Sequence, residues 1–285
     1  MREVAEETLK PLESGEVRLR VHGRQDYGSE RVPASVFAQK LTVLVRGLRA
    51  ADAARNGRVT HDYVISNLSL GSALVQLREE EIRHSPFFPP ASGVSAFDDC
   101  VGAIRDGREE SIELFGKCPF YVSQLAKGSG NKFGYAELWT DRGSPVRVDE
   151  FLFEQAISLL EGPERRLRIE GREHWYKGVA QGRFEGEVKG VDLRGALPEV
   201  KLILTAGSKE IDCVFRDVEM ERIREALDRR VTVEGTAFYD GRSGLPRRLE
   251  VTAINLVQPA GDFTRWKGGF EPFTAPEWES DDERE

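Results

Sequence analysis

The feature that most restricts what this chain can fold into is the run from Trp175 to Val257, which orders three strand patterns, one short helix pattern and two more strand patterns. "WYKGVAQGRFEGEVKGVDL" is a long strand interrupted by glycines, and such a strand can bend around the corner of a small barrel. "EVKLILTAG" and "KEIDCVFRD" follow as a hairpin around Gly207. "MERIREALDRR" then carries Ile223, Ala226 and Leu227 at helical spacing. "RRVTVEGTAFYD" and "PRRLEVTAINLV" close the segment as a second hairpin. Alternation predicts an inward face of Phe184, Val188, Leu202, Cys213, Phe215 and Val233, with Ile223 and Leu227 plugging its end. Three strands, a helix and two strands is the order of an OB-fold, a five-stranded barrel with its helix between the third and fourth strands.

The residues before this run read as an α+β module. "VRLRVHG" alternates as a strand, and "VPASVFAQKLTVLVRGLRAADAARNG" reads as a helix with Pro33 in its first turn and Gly57 at its stop. Phe37, Leu41, Leu44, Val45 and Leu48 share one face of it. "HDYVISNLSLGSALVQLRE" gives two strands broken at "NLSLGS", where Gly71 permits a bend. Helices are predicted around Phe97–Arg105 and Pro119–Ala126, and a strand over "FGYAELW". In "VRVDEFLFEQAISLLEG", Asp149 is placed to cap a helix buried through Leu152, Phe153, Ala156 and Leu160. The fold class is thus α+β, an N-terminal α+β module followed by a five-stranded OB-fold-like β-barrel with one helix. The predicted boundaries are an acidic tail over 1–14, the α+β module over 15–172, the barrel over 173–260 and an aromatic and acidic tail over 261–285.

"VKGVDL…VKLILT…EIDCVFRD…RIREALDRRVTVEGTAFYD…PRRLEVTAINLV" resembles the OB-type domain that ends a group of bacterial proteins, and "VPASVFAQKLTVL…ISNLSLGSALVQL" is similar to the helix and "GS" strand that precede it there. The shared motifs are structural, so the resemblance implies a fold before an activity. It also implies a place beside genes for PIN-type ribonucleases. The tail "DFTRWKGGFEPFTAPEWESDDERE" departs from the more basic, helix-like tail expected of that group.

Charge sharpens the functional reading. The net charge is −8, yet residues 1–16 hold two basic and five acidic groups, residues 262–285 hold three and eight, and the body between them is balanced at 36 of each. Acidic ends read as solvated tails. The three cysteines, Cys100, Cys118 and Cys213, form no CxxC pair, which argues against a disulfide framework and against a zinc site, and for a reducing compartment. No stretch approaches the ~18 apolar residues of a membrane helix, so a cytoplasmic protein with no membrane partner is expected.

Catalytic patterns are absent from the sequence. His22, His61, His84 and His174 stand alone, without HExxH or HxH spacing, and no cofactor, metal or catalytic residue is assigned. "KGSGNKFG" is glycine-rich and basic but lacks the GxxxxGK[ST] spacing, and "LSLGS" lacks GxSxG. A non-catalytic binding or regulatory protein is expected, engaging a protein partner through Trp266, Phe270, Phe273 and Trp278, antitoxin-like toward a nuclease. The alternative is a single-stranded nucleic-acid binder using Arg183, Lys201, Arg216, Arg242 and Arg247, with Phe238 as an outward stacking platform. Against it, residues 175–258 hold 14 basic and 14 acidic groups, where a strand binder gains from a net positive track. An enzyme with a site between the two domains is the third reading.

Overall fold

A computed structural model describes residues 11–24, 31–69, 73–82, 89–143, 145–161, 175–205, 207–216 and 218–257. The first five strands are β1 (Glu16–Val21), β2 (His61–Ser69), β3 (Leu74–Glu81), β4 (Ala136–Thr140) and β5 (Val146–Val148), hydrogen-bonded in the order β2-β3-β1-β4-β5 with every pairing antiparallel. The helices of this module are α1 (Ala34–Asn56), α2 (Gly93–Arg105), α3 (Cys118–Ala126) and α4 (Glu150–Leu160). Val17, Leu19, Val75, Leu77 and Leu138 face them and join Leu44, Leu48, Phe97, Val122 and Leu152 in one buried cluster.

Local chemistry sets the helix ends. α1 begins after Pro33 and stops at Gly57, whose φ of 74° is the left-handed conformation that glycine adopts without a Cβ penalty. Ser92 caps α2 by accepting from Ser95 N, and Asp149 caps α4 by accepting from Leu152 N at 3.2 Å. Two patterns shift from expectation. The buried stripe of α4 is Phe151, Leu152, Ala156 and Leu159, with Leu160 40% exposed and Phe153 half-buried. Periodicity alone assigned a single face, whereas α4 packs on α3 and also presents Phe151 to the C-terminal module. A 3-10 turn over Glu109–Phe115 was not expected. The helical faces of Phe37, Leu41 and Val45 are only partly buried against the cluster.

The C-terminal module has β6 (Lys177–Asp192), β7 (Glu199–Leu204), β8 (Glu210–Phe215), α5 (Met220–Glu225), β9 (Arg230–Asp240) and β10 (Arg248–Leu256). Its strands pair in a ring, β10-β8-β7-β6-β9 and back to β10, with β8 and β10 parallel and the other pairs antiparallel. β6 is long enough to pair with β9 along Lys177–Glu187 and with β7 along Gly186–Asp192. The corner falls at Gly186, where a Cβ would collide with Ile203 O. Val188, Leu202, Cys213, Phe215, Val233 and Ile223 share a second buried cluster, with Phe184 packed against it as a partly buried member. Leu227 departs from expectation, being 45% exposed, and Ala226 plugs the ring in its place. The cause is local: α5 ends at Glu225, Asp228 has a φ of 55°, and its N–H bonds Val188 O at 2.9 Å, which turns Leu227 outward. Among the described residues no helix is long and apolar enough to cross a membrane.

Candidate functional site

Among the described residues, one network of buried polar side chains lies where the two modules meet. Arg147 on β5 lies on the sheet face opposite the helices, because its neighbours Val146 and Val148 take the helix side. Its Nη1 donates to Leu197 O at 2.9 Å, its Nε to Asp149 Oδ2 at 3.2 Å, and its Nη2 pairs with Glu199. Arg248, at the start of β10, donates from Nη1 to Asp149 Oδ1 at 3.1 Å and from Nη2 to Asp149 Oδ2. Burial would push the Asp149 carboxyl up, but the two guanidiniums, Arg248 first, outweigh it and hold it below the usual carboxylate range. Glu199 ends the other way: burial raises it, and Arg147 and Arg248 only partly offset that.

Beside this network, Tyr135 lies between two cations and a histidine. The Arg147 guanidinium stacks 3.6 Å from its ring, His22 stacks on it at 4.4 Å, and its hydroxyl donates to Arg194 O. His22 Nε2 lies 2.9 Å from Glu137 Oε2, while Glu137 Oε1 accepts from the backbone N–H groups of Ala196 and Leu197 at 2.7 and 3.0 Å. Arg194 Nη1 donates to Gly23 O at 2.8 Å. The Arg194–Leu197 loop between β6 and β7 is thereby held against the ends of β1 and β4. Two clefts flank the junction. One, of about 340 Å³, is lined by Arg24, Arg147, Arg194, Glu199, Lys201 and Arg248 among others. The other, of about 590 Å³, is lined by Arg108, Glu109, Gln155, Lys177 and Tyr239 among others. At the second, Tyr176 and Tyr239 meet edge to face at 5.3 Å.

These groups hold the two modules together and show no nucleophile beside a base. The thiols of Cys118 and Cys213 are raised by burial, and all three cysteines are buried. His61 is occupied in the α1–β2 connection, where the buried Asp52 carboxylate accepts from Thr60 N, Thr60 Oγ1, His61 N and Asn56 Nδ2. Among the described residues no group of three or more His, Cys, Asp or Glu is placed to hold a metal ion. His84 and His174 lie outside the described residues.

"KGSGNKFG" turns most of its backbone amides onto itself or the end of α3. The N–H groups of Ser129, Gly130, Asn131 and Lys132 bond to Ala126 O, Gly134 O, Gly128 O and Gly128 O, so those four amides are turned inward rather than toward an anion. Lys40 reaches it from α1, donating to Gln124 O and Lys127 O at 3.0 and 2.7 Å, and burial pushes its ammonium down to about 8.

The residues proposed for nucleic acid do not form one open basic track. Arg183 pairs with Glu234 at 3.5 Å, Lys201 with Glu210, Arg216 with Glu250 at 3.0 Å, and Arg242 with Asp240 at 3.9 Å. Arg247 meets Glu154 of α4 and Asp240. Phe238 faces out of the ring core as expected, yet it is 1% exposed because Phe151 covers it edge to face at 5.5 Å. It offers no open ring for stacking. Trp266, Phe270, Phe273 and Trp278 lie outside the described residues. Sequence reasoning missed Arg147, Tyr135 and Glu137. Their signal was present as polar or charged side chains at alternate positions of apolar strands, "VRV" and "YAEL", which marks a second covered face. No protein-family model matches the chain, and comparison with curated proteins gave no match.

Proposed function

We propose that the chain is a non-catalytic binding protein whose partner is a protein, with Trp266, Phe270, Phe273 and Trp278 as the anchoring side chains of an acidic C-terminal segment. One observation carries the choice of protein over nucleic acid. Each cation offered for phosphate contact, Arg183, Lys201, Arg216, Arg242 and Arg247, already faces a carboxylate within 4 Å. A phosphate would have to displace that carboxylate, so little counterion release is left to drive strand binding. The ring itself we assign to the OB type. The β8–β10 parallel pair, the corner in β6 and the helix between the third and fourth strands support that assignment. The eight acidic groups of residues 262–285 suit a basic surface, and the substrate groove of a nuclease is such a surface, which gives an antitoxin-like role.

The test is a titration of the full chain and of a chain ending at Gly261 with a fluorescent single-stranded oligonucleotide at two salt concentrations. Micromolar or weaker affinity at either salt concentration is the expected result for both chains. Nanomolar binding at physiological salt that survives removal of the tail would overturn the reading and assign the ring to single strands.

A further inference from the structure

β2 is an edge strand, since β3 alone pairs with it in the order β2-β3-β1-β4-β5. It is nine residues long, and its outer row of backbone groups faces no other described strand. Edge strands in soluble proteins are ordinarily blunted by lysine, proline or shortness, because a bare edge templates further pairing. β2 has none of these. From Tyr63 to Ser69 it carries no charge, and Val64, Ile65 and Leu68 are 36%, 54% and 45% exposed. Among the described residues, a bulge between Ile65 and Asn67 is what interrupts it.

We propose that β2 is the seam of a two-fold dimer, pairing antiparallel with β2 of a second copy of this chain. A two-fold axis through identical edges makes the strands antiparallel by symmetry, and the sequence of β2 is suited to that arrangement. Ile65 lies opposite Leu77 and Leu68 opposite Val75, both members of the helix-side core, so Ile65 and Leu68 share one face of the sheet despite the odd spacing. The bulge produces that match. An axis passing between them sets Ile65 of one copy across from Leu68 of the other, twice, and shields both exposed side chains. Val64, opposite Arg78, and Ser69, opposite Leu74, share the other face and meet in the same register.

Charge selects a second copy over an arbitrary extended segment. The acidic residue of β2 itself is Asp62, which pairs with Arg49 at 2.6 Å. In the antiparallel arrangement the two Asp62–Arg49 pairs fall at opposite ends of the seam, so they do not face each other. The bulge shortens the regular ladder, and one strand pair buries less than the roughly 1,200 Å² of a standard interface. The dimer is therefore concentration-dependent. The seam involves neither the tail nor the function proposed above.

Sedimentation equilibrium of the full chain over a range of micromolar concentrations tests it. The expected mass rises from the 32.0 kDa of one chain toward twice that value. Ile65→Lys and Leu68→Glu, each at an already exposed position, should leave circular dichroism unchanged and hold the mass at one chain. Mixing the two variants should restore the dimer, because the new cation and the new carboxylate face each other across the seam. A wild-type chain that stays monomeric, a dimer that persists in both variants, or a mixture that fails to associate would each overturn the proposal. Amide protection of β2 that appears only on adding a different protein would overturn it too, assigning the edge to that protein.

Discussion

Arg248 places both terminal nitrogens of its guanidinium on the carboxylate of Asp149, and that carboxylate also caps α4 through Leu152 N. One side chain thus meets a strand of the ring, starts a helix of the first module and ties the two together. Arg147 joins the same carboxylate from β5 and carries the link on to Leu197 O. Removing one member of a buried pair leaves the other charged and unpaired, which costs about 3–5 kcal/mol. Arg248→Ala and Asp149→Ala should each lower the unfolding free energy by that order in urea. The double variant should lose less than the two losses added, and strict additivity would show that the pair is not coupled.

Acid should act on the α1–β2 connection through Asp52. Burial would raise this carboxyl, but hydrogen bonds from Thr60, His61 N and Asn56 hold it below its usual value. A carboxyl lowered in the folded state contributes stability above its unfolded pKa and loses it as pH falls through the folded one. Asp52→Asn cannot titrate, so the wild type should exceed it in stability near neutrality, with the gap closing below about pH 4. Asp149 acts in the same direction in both proteins. Glu199, raised by burial, acts in the opposite one, contributing most below its unfolded pKa. Comparing the two proteins at each pH cancels these shared contributions, and a constant gap from pH 3 to 7 would refute the Asp52 assignment.

Among the described glycines of the ring, Gly235 leaves the least room for a side chain. A Cβ there would collide with Glu250 O and lie 2.9 Å from Val251 Cα, inside the β9–β10 pairing. Neither contact is a flexible side-chain end, so Gly235→Ala must push neighbouring strands of a closed sheet apart. The expected cost is about 1–3 kcal/mol, or several degrees of melting temperature at roughly 2–4 °C per kcal/mol. Calorimetry showing no change would mean that β9 and β10 separate freely at this point.

Much of the architecture is legible in the sequence because it rests on local rules. Pro33 and Gly57 bracket α1, Asp149 caps α4, and the alternating residues of β6 to β9 point into the ring as period-two reading requires. What was not legible depends on one module covering another. Phe151 and Leu159 of α4 are buried where a single stripe predicted Leu160, because two surfaces meet that helix. Leu227 points outward because Asp228 takes a left-handed conformation that no spacing announces. The candidate site suffered most. Arg216 and Phe238 are outward on the ring, as alternation indicates, and Arg247 sits in the last loop, but whether outward means open is decided by Glu250, Glu154 and Phe151, and Glu154 and Phe151 belong to the first module.

Phe238 separates the two binding readings at the level of a single side chain. It is 1% exposed, packs edge to face on Phe151, and lies in a junction where the Arg248 guanidinium stacks 4.6 Å from the Phe151 ring. If it is a packing residue, Phe238→Ala removes a buried ring and should cost about 3–5 kcal/mol of stability, with Phe238→Leu retaining most of the packing and losing less. If it were a stacking platform, the same change would leave stability nearly intact and remove about 1–3 kcal/mol of single-strand affinity. Urea unfolding and oligonucleotide titration of the same two variants read these outcomes independently. The ring geometry predicts the first: a large, graded loss of stability and no change in an already weak affinity. Stability within error of wild type would instead require that α4 lifts from β9 in solution and uncovers the ring.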